Sequence, residues 1–560
     1  MRYSFLQLLL CLVCIPLWAG IRVNGLKPAY DSLWNMYLYA LPERCFHGDS
    51  CRLTIKVDSG QPNTVYLVDA EVVKGDSLTL DLTPEKARKG CRILTVSADT
   101  FLVDRLAFTS LPIVQLEGDF GYDYLQGRFG LQEADSLTAG RLLAKIKWRG
   151  GLTNREGRHK RNYHVKFLAD TLGGEQEVNF LGLRSSDSWI LDAAQVDLSR
   201  IRNRTCTDLW NDFAHKPYYS AKEPEARSGA RGRFVELFLN NRYMGVYSLG
   251  EAIDRKQLKL KKYKHEEIRG QLWKTKTWTP DVTMYGVPDY DDEQESMGGY
   301  ETKYPKLDKA FPTDYSVLHD AIRLVAESND SVFEAHVGDC FDLPVLIDYY
   351  VFLQTVYAID NNGKNMYWAC YDKTVSPKLT LAVWDLDATV GGNVDCSEIR
   401  TEPLAPCNDF MDRFGYLNLL RRLYQGNLCG FRDAVKERFW QLREGCLHTD
   451  SLVARFMSNI EKLQLCGAAG REERRWSGDS DISYRELCLR DEAAYMADWI
   501  RRHMQFLDEE VFNRSASAVH SVKRDEQHRD AVFDLFGRQV DTTRMMPGLY
   551  IKNGRLYQKK

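Results

Sequence analysis

The stretch FVELFLNNRYMGVYSLGE, residues 234–251, has a strand, a two-residue turn and a second strand. Apolar and aromatic residues on both sides of the turn have strand composition. The pair Asn240-Asn241 suits a tight hairpin turn, because Asn tolerates the positive φ angles that such turns require. We therefore predict a β-hairpin that ends at Glu251.

The residues before the hairpin, from Ala144 to Gly250, are mostly strand-like. AKIKW (residues 144–148) and YHVKF (163–167) flank a polar loop, and the second of these segments carries Lys166. One helix interrupts them, because DLSRIRNRTCTDLWNDF (197–213) has helical spacing at its apolar positions. This region therefore predicts a largely β unit that contains one helix.

From Ile253 onward the sequence turns helical. DLPVLIDYYVFLQTVYAID (342–360) predicts a buried helix that begins with Asp342 as its cap and Pro344 in its first turn. KLTLAVWDLD (378–387) predicts a strand that ends in acids, and residues 415–512 are mostly helical. The acidic insertion GVPDYDDEQESMGGYE (286–301) predicts a solvated loop, since it lacks the ligand register of a calcium loop.

The two ends of the chain have different compositions from its centre. CRLTIKV (51–57), TVYLVDAEVV (64–73) and CRILTVSA (91–98), with a turn at Asp58-Ser59-Gly60, predict a small β-sandwich-like domain over residues 24–115. Residues 516–530 predict a linker. Residues 531–560 predict a short β-module that resembles the secretion or sorting tails of exported bacterial proteins.

The N-terminus predicts export. Arg2 precedes a short apolar run, residues 6–17, and Trp18-Ala19-Gly20 offers small residues for cleavage. We interpret residues 1–23 as a removable signal peptide, which implies a periplasmic, surface or extracellular protein. Lipidation is the alternative; it is disfavoured because Leu10 and Val13, not small residues, precede Cys11 and Cys14. No later run reaches the length of a membrane span.

Composition excludes other classes of partner. The chain has 560 residues, 75 basic and 78 acidic, so its net charge of −3 provides no global basic field for nucleic acid or anionic lipid. Twelve of the 14 cysteines lie outside the predicted signal. Cys45 and Cys51 are close enough in sequence to bridge a small loop, and buried free thiols are the expectation for most of the others.

No short motif identifies a common enzyme. G-x-S-x-G and H-E-x-x-H are absent, the 11 histidines form no ligand-spaced cluster, and Ala358 stands where a P-loop would need its first glycine. What remains is an order of polar residues along the chain: Lys166, Glu251, Asp360-x-x-x-x-Asn365 and Asp385-Leu386-Asp387. Phosphoryl transfer needs a cation on the phosphates, metal-holding oxygens and a carboxylate at the attacking hydroxyl.

Each of these residues also has a purely structural interpretation. Asp360 could cap a turn, as loop aspartates often do. Lys166 could extend its apolar stem along a strand and keep its amine in solvent. Glu251 could cap AIDRKQL (252–258) as a helix start.

Five segments resemble the CotH (spore coat protein H) kinase family. They are IKWRGG followed by HKRNYHVKF (146–151 and 159–167), WILDAAQVDLSRIRN (189–203), the hairpin with GEAIDR (234–255), IDNNGKNMYWACYD (359–372) and AVWDLDATVGG (382–392). The similarity spans about Leu111 to Phe512, and the hairpin and Trp-Asp-Leu-Asp are its most specific parts.

The resemblance implies an α+β protein with an atypical bilobal protein-kinase-like fold, its N-lobe over residues 116–252 and its C-lobe over 253–515. It also implies ATP and Mg²⁺ as ligands. Asp360 would be the base, Asn365 and Asp385 would be metal ligands, and Asp387 would be a second carboxylate ligand. Lys166 would lie at the ATP phosphates beneath a loop that carries Arg149, and Glu251 would lie near the hinge or nucleotide. The chain departs from ordinary kinases, since Ile359 precedes Asp360 and no G-x-G-x-x-G is present.

Three functions follow as hypotheses. The first is Mg²⁺-dependent transfer of the ATP γ-phosphoryl group to a protein Ser/Thr hydroxyl, favoured because all three positions of the acidic/amide set are present. The second is a non-catalytic exported surface or adhesion protein that uses the kinase-like scaffold to bind a partner, favoured by the scarcity of ATP outside the cytoplasm. The third is a hydrolase that uses Asp385 and Asp387 as paired carboxylates.

Overall fold

The computed structural model describes most of the chain: residues 20–57, 64–74, 76–97, 101–134, 136–151, 154–394, 401–407, 417–479, 486–513 and four strands between 532 and 559. The turn Asp58-Ser59-Gly60, the predicted linker and most of the predicted signal lie outside these residues. Among the described residues, both helices and sheets are present, so the α+β class is confirmed. No described helix has the length and apolar character needed to cross a bilayer.

The first part of the chain contains two sheets. Their elements are β1 (Ile21–Val23), β2 (Ala29–Asp31), β3 (Met36–Ala40), α1 (Arg44–His47), β4 (Cys51–Val57), β5 (Val65–Val68), β6 (Glu71–Val72), β7 (Ser77–Leu82), α2 (Pro84–Lys89), β8 (Cys91–Val96) and β9 (Phe101–Thr109). One sheet has the order β1-β4-β7 and the other β2-β3-β9-β8-β5-β6. Side chains of both sheets, such as Ile55 and Ile93, share one core, because alternate residues of each strand point inward. Cys45 and Cys51 form a disulfide.

The next strands close into a barrel. They are β10 (Ile113–Glu117), β11 (Leu125–Glu133), β12 (Ser136–Arg149), β13 (Asn162–Phe167), β14 (Ser188–Asp192), then helix α3 (Arg202–Phe213), β15 (Gly232–Leu239) and β16 (Arg242–Glu251). The order around the barrel is β10-β11-β12-β13-β14-β16-β15, and β15 returns to pair in parallel with β10. The predicted hairpin is confirmed as β15 and β16, with φ of 48° at Asn240 and 58° at Asn241.

The helix predicted over 197–213 begins later, at Arg202. Residues before it form turns held by Asp197, whose carboxylate accepts hydrogen bonds from Ser199 N (2.8 Å) and Arg202 N (2.7 Å). An aspartate that satisfies free N–H groups in this way favours a turn over continued helix. The apolar spacing predicted the helix, but the Asp197 side chain determines where it starts.

The chain after the barrel is less helical at first than predicted. Its elements are α4 (Arg255–Leu258), β17 (Gln271–Thr275), β18 (Ser296–Met297), β19 (Tyr300–Tyr304), α5 (Ser316–Glu327), α6 (Asp330–Cys340), α7 (Leu343–Val356), a 3₁₀ turn (Ile359–Asn361), β20 (Met366–Asp372) and β21 (Ser376–Val383). The strands form one sheet, β18-β19-β17-β20-β21. Beyond the single turn of α4, the expectation that the chain turns helical from Ile253 was therefore wrong, because β17 pairs with β19 and with the later strand β20, which are distant in sequence.

Helices dominate the rest of the central body. They are α8 (Asn418–Gln425), α9 (Phe431–Arg443), α10 (Thr449–Leu465), α11 (Ala468–Trp476) and α12 (Leu489–Phe506). The last residues form a separate four-stranded sheet of β22 (Val532–Phe533), β23 (Gln539–Val540), β24 (Gly548–Lys552) and β25 (Arg555–Lys559), in the order β23-β22-β24-β25.

Helix α11 holds the barrel through a buried ionic cluster, which we call the Glu472 clasp: Glu472 with Lys160, Arg200 and the backbone N–H of Val246. Glu472 Oε1 accepts hydrogen bonds from Lys160 Nζ (2.9 Å) and Arg200 Nε (2.6 Å), and Oε2 accepts one from Val246 N (2.7 Å). All three side chains are fully buried. Burial opposes ionisation of Glu472, but the charges of Lys160 and Arg200 hold its pKa below the usual value.

The hairpin sequence is shaped to receive α11. A Cβ on Gly245 would lie 2.0 Å from Glu472 Oε2, and the φ of this residue is +99°, so only glycine fits. Arg471, the neighbour of Glu472, makes two hydrogen bonds of 2.8 Å to Glu236 of β15. Trp476 donates to the carbonyl of Met244 at 3.0 Å.

We predict that Glu472→Gln lowers the free energy of unfolding by about 3–5 kcal/mol, because it leaves the buried charges of Lys160 and Arg200 uncompensated. The measurement is chemical denaturation followed by tryptophan fluorescence. Lys89→Met is the matched control; it breaks an ion pair with Glu85 in which both side chains are mostly exposed, so it should change stability little. Equal denaturation midpoints for the two variants would show that the clasp contributes nothing.

Candidate functional site

The candidate site lies where three elements end: β14 at Asp192, β21 just before Asp385, and the 3₁₀ turn that contains Asp360. Asn203, in the first turn of α3, joins two of them. Its Nδ2 donates to Asp192 Oδ2 at 2.7 Å, and its Oδ1 accepts from Leu386 N at 3.1 Å. The end of the barrel strand and the acidic loop after β21 are thereby held by one amide.

Arg202 supports the same loop from the neighbouring position of α3. Its guanidinium donates to Asp197 Oδ1 (2.6 Å), to Glu492 Oε1 of α12 (2.6 Å) and to the carbonyl of Val390 (3.1 Å from Nη2). Both acids and the arginine are buried. This cluster therefore fixes the loop that follows Asp387 against two helices.

The loop after α7 holds Asp360 in a network of its own. Lys364 Nζ lies 2.8 Å from Oδ1 and 3.1 Å from Oδ2 of Asp360, and Asn365 Nδ2 donates to Oδ2 at 2.6 Å. Asn361 Nδ2 donates to the carbonyl of Trp384 at 2.7 Å, which ties this loop to the end of β21. Lys364 also lies 4.2 Å above the centroid of the Trp278 ring.

Two residues of the site have left-handed backbone conformations, Asn365 with φ of +54° and Asp385 with φ of +62°. Such conformations cost free energy for residues other than glycine and concentrate at functional sites. Asn365 directly precedes β20, and Asp385 lies two residues after the end of β21. The strained backbone at these two points therefore orients both side chains.

The carboxylates of the site disfavour one another's ionisation. Burial raises the pKa of Asp360 to about 6, opposed by the charge of Lys364 and reinforced by that of Asp385. Burial also raises the pKa of Asp192, and the charge of Asp385 adds to this. The pKa of Asp387 lies well above its usual value, because burial and then the charge of Asp385 oppose its ionisation. A cation at this point would stabilise the ionised carboxylates.

Basic residues form the facing wall. The Arg149 guanidinium lies 5.1 Å from the Trp384 ring centroid, and Lys274 Nζ of β17 lies 5.6 Å from the same centroid. Burial lowers the pKa of Lys274 to about 8, with the charge of Arg149 lowering it further and that of Asp385 opposing. Burial lowers the pKa of Lys303 as well, although Glu301 pairs with it. The wall therefore concentrates positive charge that a polyanion would neutralise.

His164 lies under this basic wall and is held neutral. Burial lowers its pKa to about 3, and the charges of Arg149 and Lys166 add to the effect. Its Nδ1 lies 2.8 Å from Tyr124 Oη and its Nε2 lies 2.7 Å from Ser188 Oγ. These bonds make His164 a support for the strand face.

Lys166 and Glu251 each have contacts of their own, and Glu251 also borders the acidic set. Lys166 Nζ is 5.1 Å from the Tyr124 ring centroid; burial and the charges of Lys306 and Lys145 lower its pKa. Glu251 is buried and accepts from Arg184 N (2.8 Å) and Arg231 Nη2 (2.9 Å), and it lines a small recess with Trp384 and Asp385.

The alternative role for Glu251 as a helix cap is wrong. Asp254 is the N-cap of α4, and its Oδ1 accepts from Gln257 N at 2.7 Å. Glu251 instead ends β16 and pairs with Arg231 across the hairpin.

The residue types at this site fit a magnesium ion. The carboxylates of Asp385 and Asp387 take no part in the hydrogen bonds and ion pairs among described residues, so their oxygens are available. Asn365, whose Nδ2 donates to Asp360, adds an amide oxygen to the same loop. Mg²⁺ is commonly held by one or two carboxylates, with phosphate and water oxygens completing its shell. No group of three or more His, Cys, Asp or Glu side chains in the described part of the chain is arranged to hold a metal by itself.

Sequence reasoning missed several residues of the site: Lys274, Lys303, Asp192, Asn203 and Trp384. Asp192 and Asn203 lie in the family-like segment 189–203, and Trp384 lies in the segment 382–392. An aspartate at a strand end and an asparagine at a helix start could have indicated the first two. Lys274 and Lys303 lie on β17 and β19, strands that the sequence did not predict.

A comparison with protein families matches residues 146–507, more than half of the chain, to the family described as CotH kinase protein. The chain belongs to the CotH kinase family. The matched residues run from β12 to the end of the helical region and include Arg149 and the whole acidic set, so the CotH kinase region contains the candidate site. The two N-terminal sheets and the C-terminal sheet lie outside the match.

Other comparisons add little to the CotH assignment. No curated protein matches the chain. A solved structure of titin Ig tandem domains aligns with 28% of this chain and 92% of its own at 9% identity and a TM-score of 0.10. A likeness this low supports no conclusion about fold or function.

We predict that Lys274 reacts with an amine-directed acylating reagent at lower pH than ordinary lysines. Its pKa of about 8 means that the neutral, reactive amine becomes the major form above that pH. Peptide mass spectrometry across pH 6–10 measures the labelling, with the exposed Lys222 as the comparison. Asp385→Asn should shift the Lys274 curve to lower pH, because it removes an attractive charge; a curve that matches Lys222 would contradict the assignment.

Proposed function

We propose that this CotH-family chain is an exported atypical kinase that transfers the γ-phosphoryl group of ATP to a Ser/Thr hydroxyl of a protein, with Mg²⁺. The observation that carries the proposal is the opposition of charges across one site. Arg149 and Lys274 form the basic side of the site, and Asp385, which interacts with Lys274, lies with Asp360 on its acidic side. Phosphoryl transfer requires these two sets of charges within reach of the same phosphate chain.

The basic wall is suited to hold the phosphates. The lowered pKa values of Lys274 and Lys303 mean that their charged forms are disfavoured in the free protein. A bound polyphosphate would raise these pKa values again, so its binding should be accompanied by proton uptake at this wall. Lys166 lies on the same outward strand face, two residues from His164, and is a further cation for this role.

The acidic set divides into two roles. Asp385 and Asn365, with Asp387 as an additional ligand, would hold Mg²⁺, which when bound neutralises charge on the phosphates. Asp360 would accept the proton of the acceptor hydroxyl. Its raised pKa makes it a stronger base than an ordinary aspartate, and its bonds to Lys364 and Asn365 fix its orientation.

We predict that Asp385→Asn and Asp360→Asn separate binding from chemistry. Asp385→Asn should abolish the stabilisation by MgATP, which for the wild type at about 100 times Kd is about 2.7 kcal/mol. Asp360→Asn should keep that stabilisation and lower the transfer rate by about 10²–10⁴-fold, because the base acts on the acceptor. Thermal unfolding with MgATP and radiolabel transfer to a generic protein acceptor are the measurements.

The control for both variants is Asp320→Asn, a mostly exposed carboxylate on α5 that should change neither measurement. Stabilisation of the wild type by MgATP without transfer to any acceptor would favour the alternative, a non-catalytic binding module. Failure of MgATP to stabilise the wild type at all would contradict the kinase site itself.

Export is part of the proposal and has its own test. Strand β1 pairs with β4, and its residues Ile21 and Val23 are buried in the first sheet. A cleavage after residue 23, the boundary given by the sequence, would remove them and expose that core. We therefore move the proposed boundary toward the N-terminus and predict a mature chain that begins at or before Ile21. Mass spectrometry of the native N-terminus measures this; an intact Met1, or a lipid on Cys14, would contradict signal cleavage.

A further inference from the structure

A second cavity, of about 750 Å³, lies against α3, β15 and α10. Neither the acidic set nor Arg149 and Lys274 line it, although Arg204 borders both this cavity and the small recess that contains Asp385. A volume of this size matches pockets that bind small organic ligands. Nothing in the proposed phosphoryl transfer uses it.

The lining of this cavity carries a surplus of positive charge. Six of its residues are cationic and three are acidic, a net +3, although the whole chain has a net charge of −3. The cations are Arg204, Arg227, Arg231, Arg233, Arg455 and Lys462, and the acids are Glu133, Asp208 and Asp212. The lining is therefore positively charged although the whole chain is slightly acidic, and this local positive charge favours an anionic ligand.

The surplus is concentrated at Arg227 and Arg233, because Arg231 pairs with Glu251 (2.9 Å) and Lys462 with Glu43 (3.3 Å). Arg204 and Arg455 are neutralised by Asp208 (2.6 Å) and Asp212 (2.7 Å). Arg227 and Arg233 are exposed, and the ion pairs among described residues include neither of them. Arg231 pairs with Glu251 through Nη2, but its buried Nε has no hydrogen-bond partner in the described protein. These guanidinium groups can bind a phosphate or carboxylate through paired N–H donors.

The remaining lining suits hydroxyl groups. The Asp208 and Asp212 side chains are 41% and 39% exposed, so each has oxygen surface left for a donor beyond its arginine. Asn211 and Ser458 add an amide and a hydroxyl to the lining. A ligand made only of anionic groups would be repelled by the carboxylates, whereas sugar hydroxyls can donate to them and accept from the amide.

Apolar side chains complete the lining. Phe234 borders the cavity beside the polar groups with 9% of its surface exposed, and the C–H face of a pyranose ring can pack on such a side chain. We propose that this cavity binds an anionic sugar, with its phosphate or carboxylate at Arg227 and Arg233 and its hydroxyls at Asp208, Asp212 and Asn211.

Isothermal titration calorimetry of the full mature chain tests the proposal. The probes are glucose 6-phosphate and glucuronate, with glucose and inorganic phosphate as the two halves of the ligand. At least one anionic sugar should bind roughly tenfold or more tightly than either half, because charge and hydroxyl contacts act together. The two sugars distinguish phosphate from carboxylate recognition.

The variant R227Q/R233Q should weaken binding of the anionic sugar by roughly tenfold or more, since it removes the two lining guanidinium groups that form no ion pair among the described residues; Arg233 donates only to the carbonyl of Gly232, at 3.0 Å. Both residues are exposed, so this variant should fold. Arg490→Gln, which removes a similarly exposed arginine on α12, is the matched control and should bind normally. Binding of inorganic phosphate or glucose as tight as that of the anionic sugars, or no binding of either sugar at about 10 mM, would overturn the proposal.

The sugar site and the kinase site can fail separately. R227Q/R233Q should keep the stabilisation by MgATP, and Asp385→Asn should keep the affinity for the anionic sugar. Loss of sugar affinity in Asp385→Asn, or competition between MgATP and the sugar, would place both ligands in the kinase site. Either result would overturn the proposal that the sugar binds in the separate cavity.

Discussion

The rest of the structure depends on one buried carboxylate. Glu472 reaches from α11 into the end of the barrel, where it neutralises Lys160 and Arg200 and accepts the N–H of Val246. Buried charges are tolerated only when they are paired and hydrogen-bonded, so the helix must dock at this position for the hairpin to be stable. Arg200 lies just before α3, so its bond to Glu472 also fixes the start of that helix. Asn203 in the first turn of α3 in turn holds the acidic loop of the site.

The site itself is a balance of unfavourable charges. Carboxylates that raise one another's pKa face lysines whose pKa is lowered, and the free protein relieves neither fully. Such an arrangement lowers the stability of the free protein, and a ligand that carries both phosphates and a divalent cation would relieve both sides at once.

Much of the local structure could be predicted from the sequence. The hairpin followed from Asn240-Asn241 and its flanking apolar residues, and the strand before Asp385 followed from its composition. The start of α3 was predicted five residues early, because the Asp197 side chain competes with the helix for backbone N–H groups. Strands β17 and β19 were missed, since β17 is stabilised by pairing with β20, more than 90 residues further along the chain, and β19 is stabilised by pairing with β17.

By itself, the sequence determined the family resemblance, the order of the polar residues and the elements that carry Asp360, Asn365 and Asp385, since these depend on neighbours a few residues away. Only the tertiary structure decided which charges meet. Lys274 faces Arg149 and Trp384, and Glu472 pairs with Lys160; the two residues of each pair are more than 100 positions apart in the sequence. Electrostatic energy depends on distance in space and on burial, and neither can be read from positions along a chain.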